Sequence, residues 1–219
     1  MTTVLITGAN RGIGLEMASQ HASRGDKVIA VCRKSSPALN GLGVRVIDGI
    51  DVTSGDSCNE MVRALDGTVL DRLVNNAGIL ERNTLGDFNS ESIERQFRVN
   101  AVAPLRVTTS LLPRLRSGSR VFIITSRMGS IDDNDSGGSY GYRMSKAAVN
   151  MAGKSLSIDL KDEGIAVFLL HPGWVSTEMT GQTGIPVEQS ASGLIDRMDA
   201  LTIEQTGTFW HQEGYELPW

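Results

Sequence analysis

Tyr142 and Lys146 stand four residues apart in Tyr142-Arg143-Met144-Ser145-Lys146, a stretch whose spacing predicts helix, so a phenol and an ammonium share one face. A tyrosine left to itself, with a pKa of about 10, is a poor proton carrier at neutral pH. A fixed positive charge beside it favours the phenolate and lowers that pKa towards the range where acid–base catalysis works well. The pair therefore reads as a proton-transfer device. Solvated helix faces also produce the same spacing by chance, so the pair needs company. Tyr140 offers an internal comparison, because four residues beyond it stands Met144, which has no charge to give.

Such residues must be held by a scaffold, and the start of the chain predicts one. Val4-Leu5-Ile6 is an apolar run that stops at Thr7-Gly8-Ala9-Asn10-Arg11-Gly12-Ile13-Gly14, after which Ile13, Met17 and Ala18 fall at helical spacing. This is strand, glycine turn, helix. Gly8 permits the tight turn, and Gly12 and Gly14 let backbone amides and the positive helix end approach a pyrophosphate. Glycines also close ordinary βα loops, so a nucleotide site and a plain turn are both open from this stretch alone. Lys27 to Cys32 predicts a second strand, ending at Arg33-Lys34 with no acid before Asn40. An acid there would suit a free ribose 2′-hydroxyl, whereas an arginine suits a 2′-phosphate. The alternative is that Arg33 and Lys34 are solvated loop charges.

Further strands are predicted at Val44–Ile47, Leu70–Val74, Val121–Ile124, Ala166–Leu170 and Thr208–Trp210. Helices are predicted at Ser54–Leu65, Ser90–Leu115 (interrupted at Asn100 and Pro104), Tyr142 to about Leu160, and Val187–Leu201, with no more than a turn between Ser35 and Gly43. Alternating strands and helices mean a parallel sheet covered on both faces, an α/β fold in one domain spanning residues 1–219. Ligands of such sheets bind at the carboxyl ends of the strands. Asn75-Asn76-Ala77-Gly78, Ser126 and Pro172-Gly173 all fall there. Asp51 is placed to touch an adenine edge or to serve as a turn aspartate.

Composition narrows the function classes. The 219 residues carry a net charge of −4 with the charges interspersed, which argues against nucleic acid and anionic membrane as partners. Cys32 and Cys58 have no C-x-x-C spacing, and His21, His171 and His211 lack ligand spacing, so no metal site is expected. No apolar run approaches the roughly 20 residues of a membrane span. The strand pattern begins at once, without a signal sequence, and a cytoplasmic protein is the expectation.

Taken together, Thr7 to Gly14, Asn75 to Gly78, Asn100, Ser126, Tyr142 with Lys146, and Pro172-Gly173 resemble the short-chain dehydrogenases/reductases in order and approximate spacing. The resemblance covers nearly the whole chain. Thr125 to Ile131, the brief loop after Arg33 and the stop at Trp219 are similar to the C-factor and sniffer-type carbonyl reductase branch. The resemblance implies a Rossmann-type sheet of seven parallel strands in the order 3-2-1-4-5-6-7, binding NADP(H). It implies Tyr142 as acid/base, Lys146 as the group that lowers its pKa and binds the nicotinamide ribose, Ser126 as holder of the substrate oxygen, and Asn100 as positioner of a water. Gly8, Asn10, Arg11, Gly12, Ile13, Gly14, Arg33, Asp51, Val52, Asn76, Ala77, Gly78, Tyr142, Lys146, Pro172, Gly173, Val175 and Thr177 would line the cofactor. Ser126, Met128, Tyr142 and Trp174 would meet the substrate, expected to be a modest, mostly apolar ketone, aldehyde or quinone. A two-fold homodimer is expected from helices apolar on more than one face, with a tetramer as the larger alternative. The rival reading is a C-factor-like signalling or NADP(H)-sensing protein whose catalysis is secondary.

Overall fold

The computed structural model describes residues 1–219. Seven parallel strands form one sheet, β1 (Thr3–Thr7), β2 (Lys27–Val31), β3 (Arg45–Ile47), β4 (Arg72–Asn75), β5 (Arg120–Ile124), β6 (Ala166–His171) and β7 (Phe209–His211). Their order is β3-β2-β1-β4-β5-β6-β7, as the resemblance implied. The order reverses between β1 and β4, and a crevice opens there at the carboxyl ends.

Strand sequences read as continuous apolar runs because helices cover both faces. Along β5, Val121 and Ile123 enter one core with Met61 of α3 (Gly55–Ala64), Leu111 of α5 (Ala103–Leu111) and Val149 of α6 (Tyr140–Asp159). Phe122 and Ile124 face the other way, towards Met17 of α1 (Gly12–Ser23) and Leu194 of α7 (Val187–Ala200). Strand alternation thus builds two cores from one sheet. Between β2 and β3 only a single turn of helix forms, α2 (Pro37–Asn40), where the Ser36 hydroxyl accepts from Leu39 N. Ser54 caps α3 in the same manner.

The long helix expected from Ser90 to Leu115 is four joined pieces, the last a 3-10 turn at Leu112–Arg114. α4 (Ser90–Phe97) passes through a π-helical turn, Arg98–Val102, into α5. A π-turn inserts an extra residue into the helix and re-aims the side chains around it, often at a functional site. Asn100 lies at its middle. No helix is long and apolar enough to cross a membrane.

Candidate active site

A cleft of about 690 Å³ runs over the carboxyl ends of the central strands. Its floor is the turn from β1 into α1, and that turn needs its glycines. Gly8 has φ +67°, and a Cβ there would stand 2.9 Å from Ala77 Cα; a Cβ on Gly14 would stand 2.4 Å from Asn76 Nδ2. Hydrogen bonds lock the two loops together. Asn76 Nδ2 donates to the Thr7 and Gly8 carbonyls at 3.0 and 3.3 Å, while Thr7 Oγ1 accepts from Asn76 N and Ala77 N. No side chain caps α1, so its first amides are open to an anion. The residues present fit a dinucleotide.

Of the residues expected along the cofactor, Gly8, Asn10, Arg11, Gly12, Ile13, Gly14, Arg33, Asp51, Val52, Asn76, Ala77, Gly78, Tyr142, Lys146, Pro172 and Thr177 do line this cleft. Gly173 and Val175 do not; they line a second cavity beside it. Arg33 is exposed at the end of the cleft. Arg11 is engaged, pairing with Glu178 on the single helical turn Glu178–Thr180 across the cleft. Lys34 does not line the cleft; its carbonyl accepts from Asn10 Nδ2 at 3.0 Å. Asp51 accepts from both N and Oγ1 of Thr53, which hold its carboxyl below the usual range.

Tyr142 and Lys146 project from the first turns of α6. Gly129 lets the loop carrying Ser126 lie against them, since a Cβ at Gly129 would stand 2.6 Å from the Lys146 backbone carbon. Ser126 Oγ accepts from Met128 N at 3.1 Å, which fixes its rotamer. Lys146 is 5% exposed, and its Nζ donates to the Ile124 carbonyl at 2.9 Å. The pKa expectation is corrected here. Burial pushes the Tyr142 phenol up to about 12, with only the Ser126 hydroxyl acting against it, and pushes Lys146 down to about 8. The Lys146 ammonium sits 5.7 Å from the ring centroid and spends a donor on Ile124, so desolvation outweighs its attraction for a phenolate. Asn100 is 1% exposed and uses its side chain structurally: Nδ2 donates to Ile79 O and Ser145 Oγ, and Oδ1 accepts from Ile79 N. Its amide has no donor left for a water.

The second cavity, about 470 Å³, adjoins the first at Tyr142 and is lined by all four residues expected to meet the substrate, Ser126, Met128, Tyr142 and Trp174. Its wall mixes apolar surface with charged side chains. Arg127 pairs with Asp133 through Nε and through Nη2 at 3.0 Å, and Arg143 holds Ser136 Oγ and the Gly137 carbonyl. Asp133, Asp135, Arg143, His171 and His211 all face this space and were missed from sequence. The Asp-rich tract from Ile131 to Ser139 was the available signal. Arg143, one residue after Tyr142, turns out to tie that tract over the cavity.

A family model for the short chain dehydrogenases matches residues 2–186. A dehydrogenase of Rhodococcus sp. strain AD45, named for 1-hydroxy-2-glutathionyl-2-methyl-3-butene, is 41% identical over 226 residues and is matched over 100% of both chains. The C-signal protein of Myxococcus xanthus is 47% identical over 154 residues, 68% of this chain and 93% of that one. The solved structure of a carbonyl reductase from chicken fatty liver with NADPH bound superposes with a TM-score of 0.90 at 29% identity, covering 100% of this chain and 99% of that one.

Proposed function

The chain belongs to the short-chain dehydrogenase family, and from that premise we propose that it transfers a hydride between NADP(H) and the carbonyl or secondary-alcohol carbon of a small molecule, one domain carrying both sites. The observation that carries this reading is the meeting of Ser126, Tyr142 and Lys146 where the two cavities join. The dinucleotide, when bound, supplies the hydride. The chain supplies the rest. Ser126 Oγ and the Tyr142 phenol are set to hydrogen-bond the substrate oxygen, the placement that stabilises charge building there during reduction. Tyr142, kept protonated by burial, gives its proton to that oxygen. Lys146 lies in the wall of the cofactor cleft, where it holds positive charge beside the phenol as the proton leaves. Asn100 acts as a positioning residue by clamping the loop at Ile79.

Arg33 is the cation placed to receive an adenosine 2′-phosphate, and NADPH was bound in the chicken enzyme. The charged wall of the second cavity suits a substrate with a polar or ionic substituent better than a purely apolar one. The Rhodococcus relative is named for an alcohol bearing a glutathionyl group, and such a thioether-linked peptide arm is the kind of substituent this wall would accept. A homodimer through the apolar outer faces of α4 to α6 completes the reading. The test is spectrophotometric: NADPH loss with a panel of neutral and charged carbonyl compounds, and NADP+ reduction with secondary alcohols and with primary glutathionyl alcohols of the kind the Rhodococcus relative is named for. Turnover of at least one class is expected; none across the panel would overturn the proposal. The second reading, an NADP(H)-sensing or signalling protein, rests on the likeness to the Myxococcus C-signal. A sensor has no need of Ser126, Tyr142 and Lys146 together.

A further inference from the structure

Resting on that oxidoreductase reading, we infer that His171 is a specificity-determining residue, whose Nε2–H donates to an oxygen-bearing substituent next to the reacting carbon of the substrate. His171 ends β6, and the register that pairs Ile124 with Leu170 sets it beside Thr125, one residue before Ser126. It lines the second cavity together with Ser126 and Tyr142. Its Nδ1 is sealed in the wall without a hydrogen-bond partner, so the edge that the cavity reaches is the one carrying Nε2.

The protonation state follows from the surroundings. Burial, helped by His211, Arg127 and Lys146, pushes the His171 pKa down to about 3, so the ring is neutral and carries one proton. A sealed N–H without an acceptor is costlier than a sealed lone pair, which places that proton on Nε2. His211, paired with His171 across β6 and β7, packs edge-on at 5.1 Å. Its own Nδ1 accepts from Glu213 N at 3.1 Å, so that nitrogen has no proton to offer His171. The Nε2 donor of His171 therefore has no hydrogen-bond partner within the protein and borders the cavity that Ser126 and Tyr142 also line. A hydroxyl, amide or carboxylate oxygen on the neighbouring carbon of the substrate would complete it.

The experiment compares 3-hydroxy-2-butanone with 2-butanone, which differ by one hydroxyl beside the carbonyl, in wild type and His171→Phe. The inherent difference in carbonyl reactivity is common to both proteins and cancels, leaving the change in the kcat/KM ratio as the readout. One hydrogen bond corresponds to a fall of about tenfold in that ratio for His171→Phe. His171→Gln, which restores a donor, should recover part of it, and NADPH affinity should stay unchanged in both. Should His171→Phe fail to fold, His171→Asn, whose amide is too short to reach, carries the same reading. An unchanged ratio in the variants would overturn the assignment while leaving the oxidoreductase reading intact. Absence of turnover with every carbonyl compound would overturn that reading and this inference with it.

Discussion

Lys146 Nζ lies 5.7 Å from the centre of the Tyr142 ring and directs a hydrogen bond to the Ile124 carbonyl 2.9 Å away, so the ammonium stands over the phenol's ring and is anchored elsewhere. Burial then governs both groups. The phenol at about 12 keeps its proton throughout the neutral range, and the ammonium at about 8 loses its charge as pH rises through that value. A protonated phenol suits carbonyl reduction, where Tyr142 must give a proton. Alcohol oxidation needs the opposite, a phenol able to accept one.

The pH dependence should therefore split by direction. For reduction, kcat/KM should hold steady below pH 8 and fall above it as Lys146 deprotonates; for oxidation it should rise with pH as the phenolate becomes accessible. Profiles of kcat/KM in both directions, which report the free enzyme, make the check. A reduction rate that climbs above pH 8 would contradict the assigned charges.

Gly129 allows the Ser126 loop to touch α6, and Gly129→Ala should disturb that contact. The added Cβ would lie 2.6 Å from the Lys146 backbone carbon and 2.8 Å from its Cβ, neither of which is a flexible end. Overpacking of this kind costs about 1–3 kcal/mol. A lower urea midpoint with reduced turnover is expected. Gly86→Ala, where nothing lies within 4 Å, serves as the control and should leave turnover unchanged.

Cofactor preference should rest mainly on Arg33, because Arg11 is held by Glu178. A charge-assisted hydrogen bond contributes about 1.5–3 kcal/mol, and screening at an exposed site favours the low end, so Arg33 corresponds to roughly tenfold in favour of NADPH over NADH. Arg33→Asp should abolish that preference. Glu178→Gln should release Arg11 and tighten NADPH by about two- to threefold, the modest size reflecting an exposed pair. Dissociation constants for both cofactors at fixed ionic strength decide, and equal affinities in wild type would make Arg33 a solvated loop charge.

How much of this was legible in the sequence differs between the two cavities. The sheet was readable because β2, β5 and β6 carry short apolar runs bounded by turn residues, the pattern of strands buried on both faces. The cofactor cleft was readable because its floor is one contiguous turn, Gly8 to Gly14, and because Asn76 and Ser126 fall at strand ends. The second cavity was not. His171 meets His211 only through the β6–β7 register, and Arg127 meets Asp133 only after the intervening loop folds back. Neither closeness has a periodicity to announce it. The Tyr142 pKa differs from expectation for a related reason: spacing shows that Lys146 shares a helix face, but not that Lys146 is buried and directs a hydrogen bond to the Ile124 carbonyl.

Assembly should follow the apolar stripe left outside. Met144, Met151 and Ile158 recur every seven residues along α6, with Met151 67% and Ile158 66% exposed, and Phe97 and Leu105 are exposed near by on α4 and α5. A two-fold homodimer is expected in light scattering. Met151→Lys with Ile158→Lys should yield a folded monomer, whereas a wild-type monomer mass at every concentration would refute the interface.

Tyr142→Phe tests the central claim most directly, since it removes the transferable proton and little else. The measurement pairs NADPH titration with turnover across the carbonyl panel for wild type and variant. Unchanged NADPH affinity and a loss of turnover to background are expected in Tyr142→Phe. Turnover by the variant equal to that of wild type would contradict the assignment of Tyr142 as the proton donor.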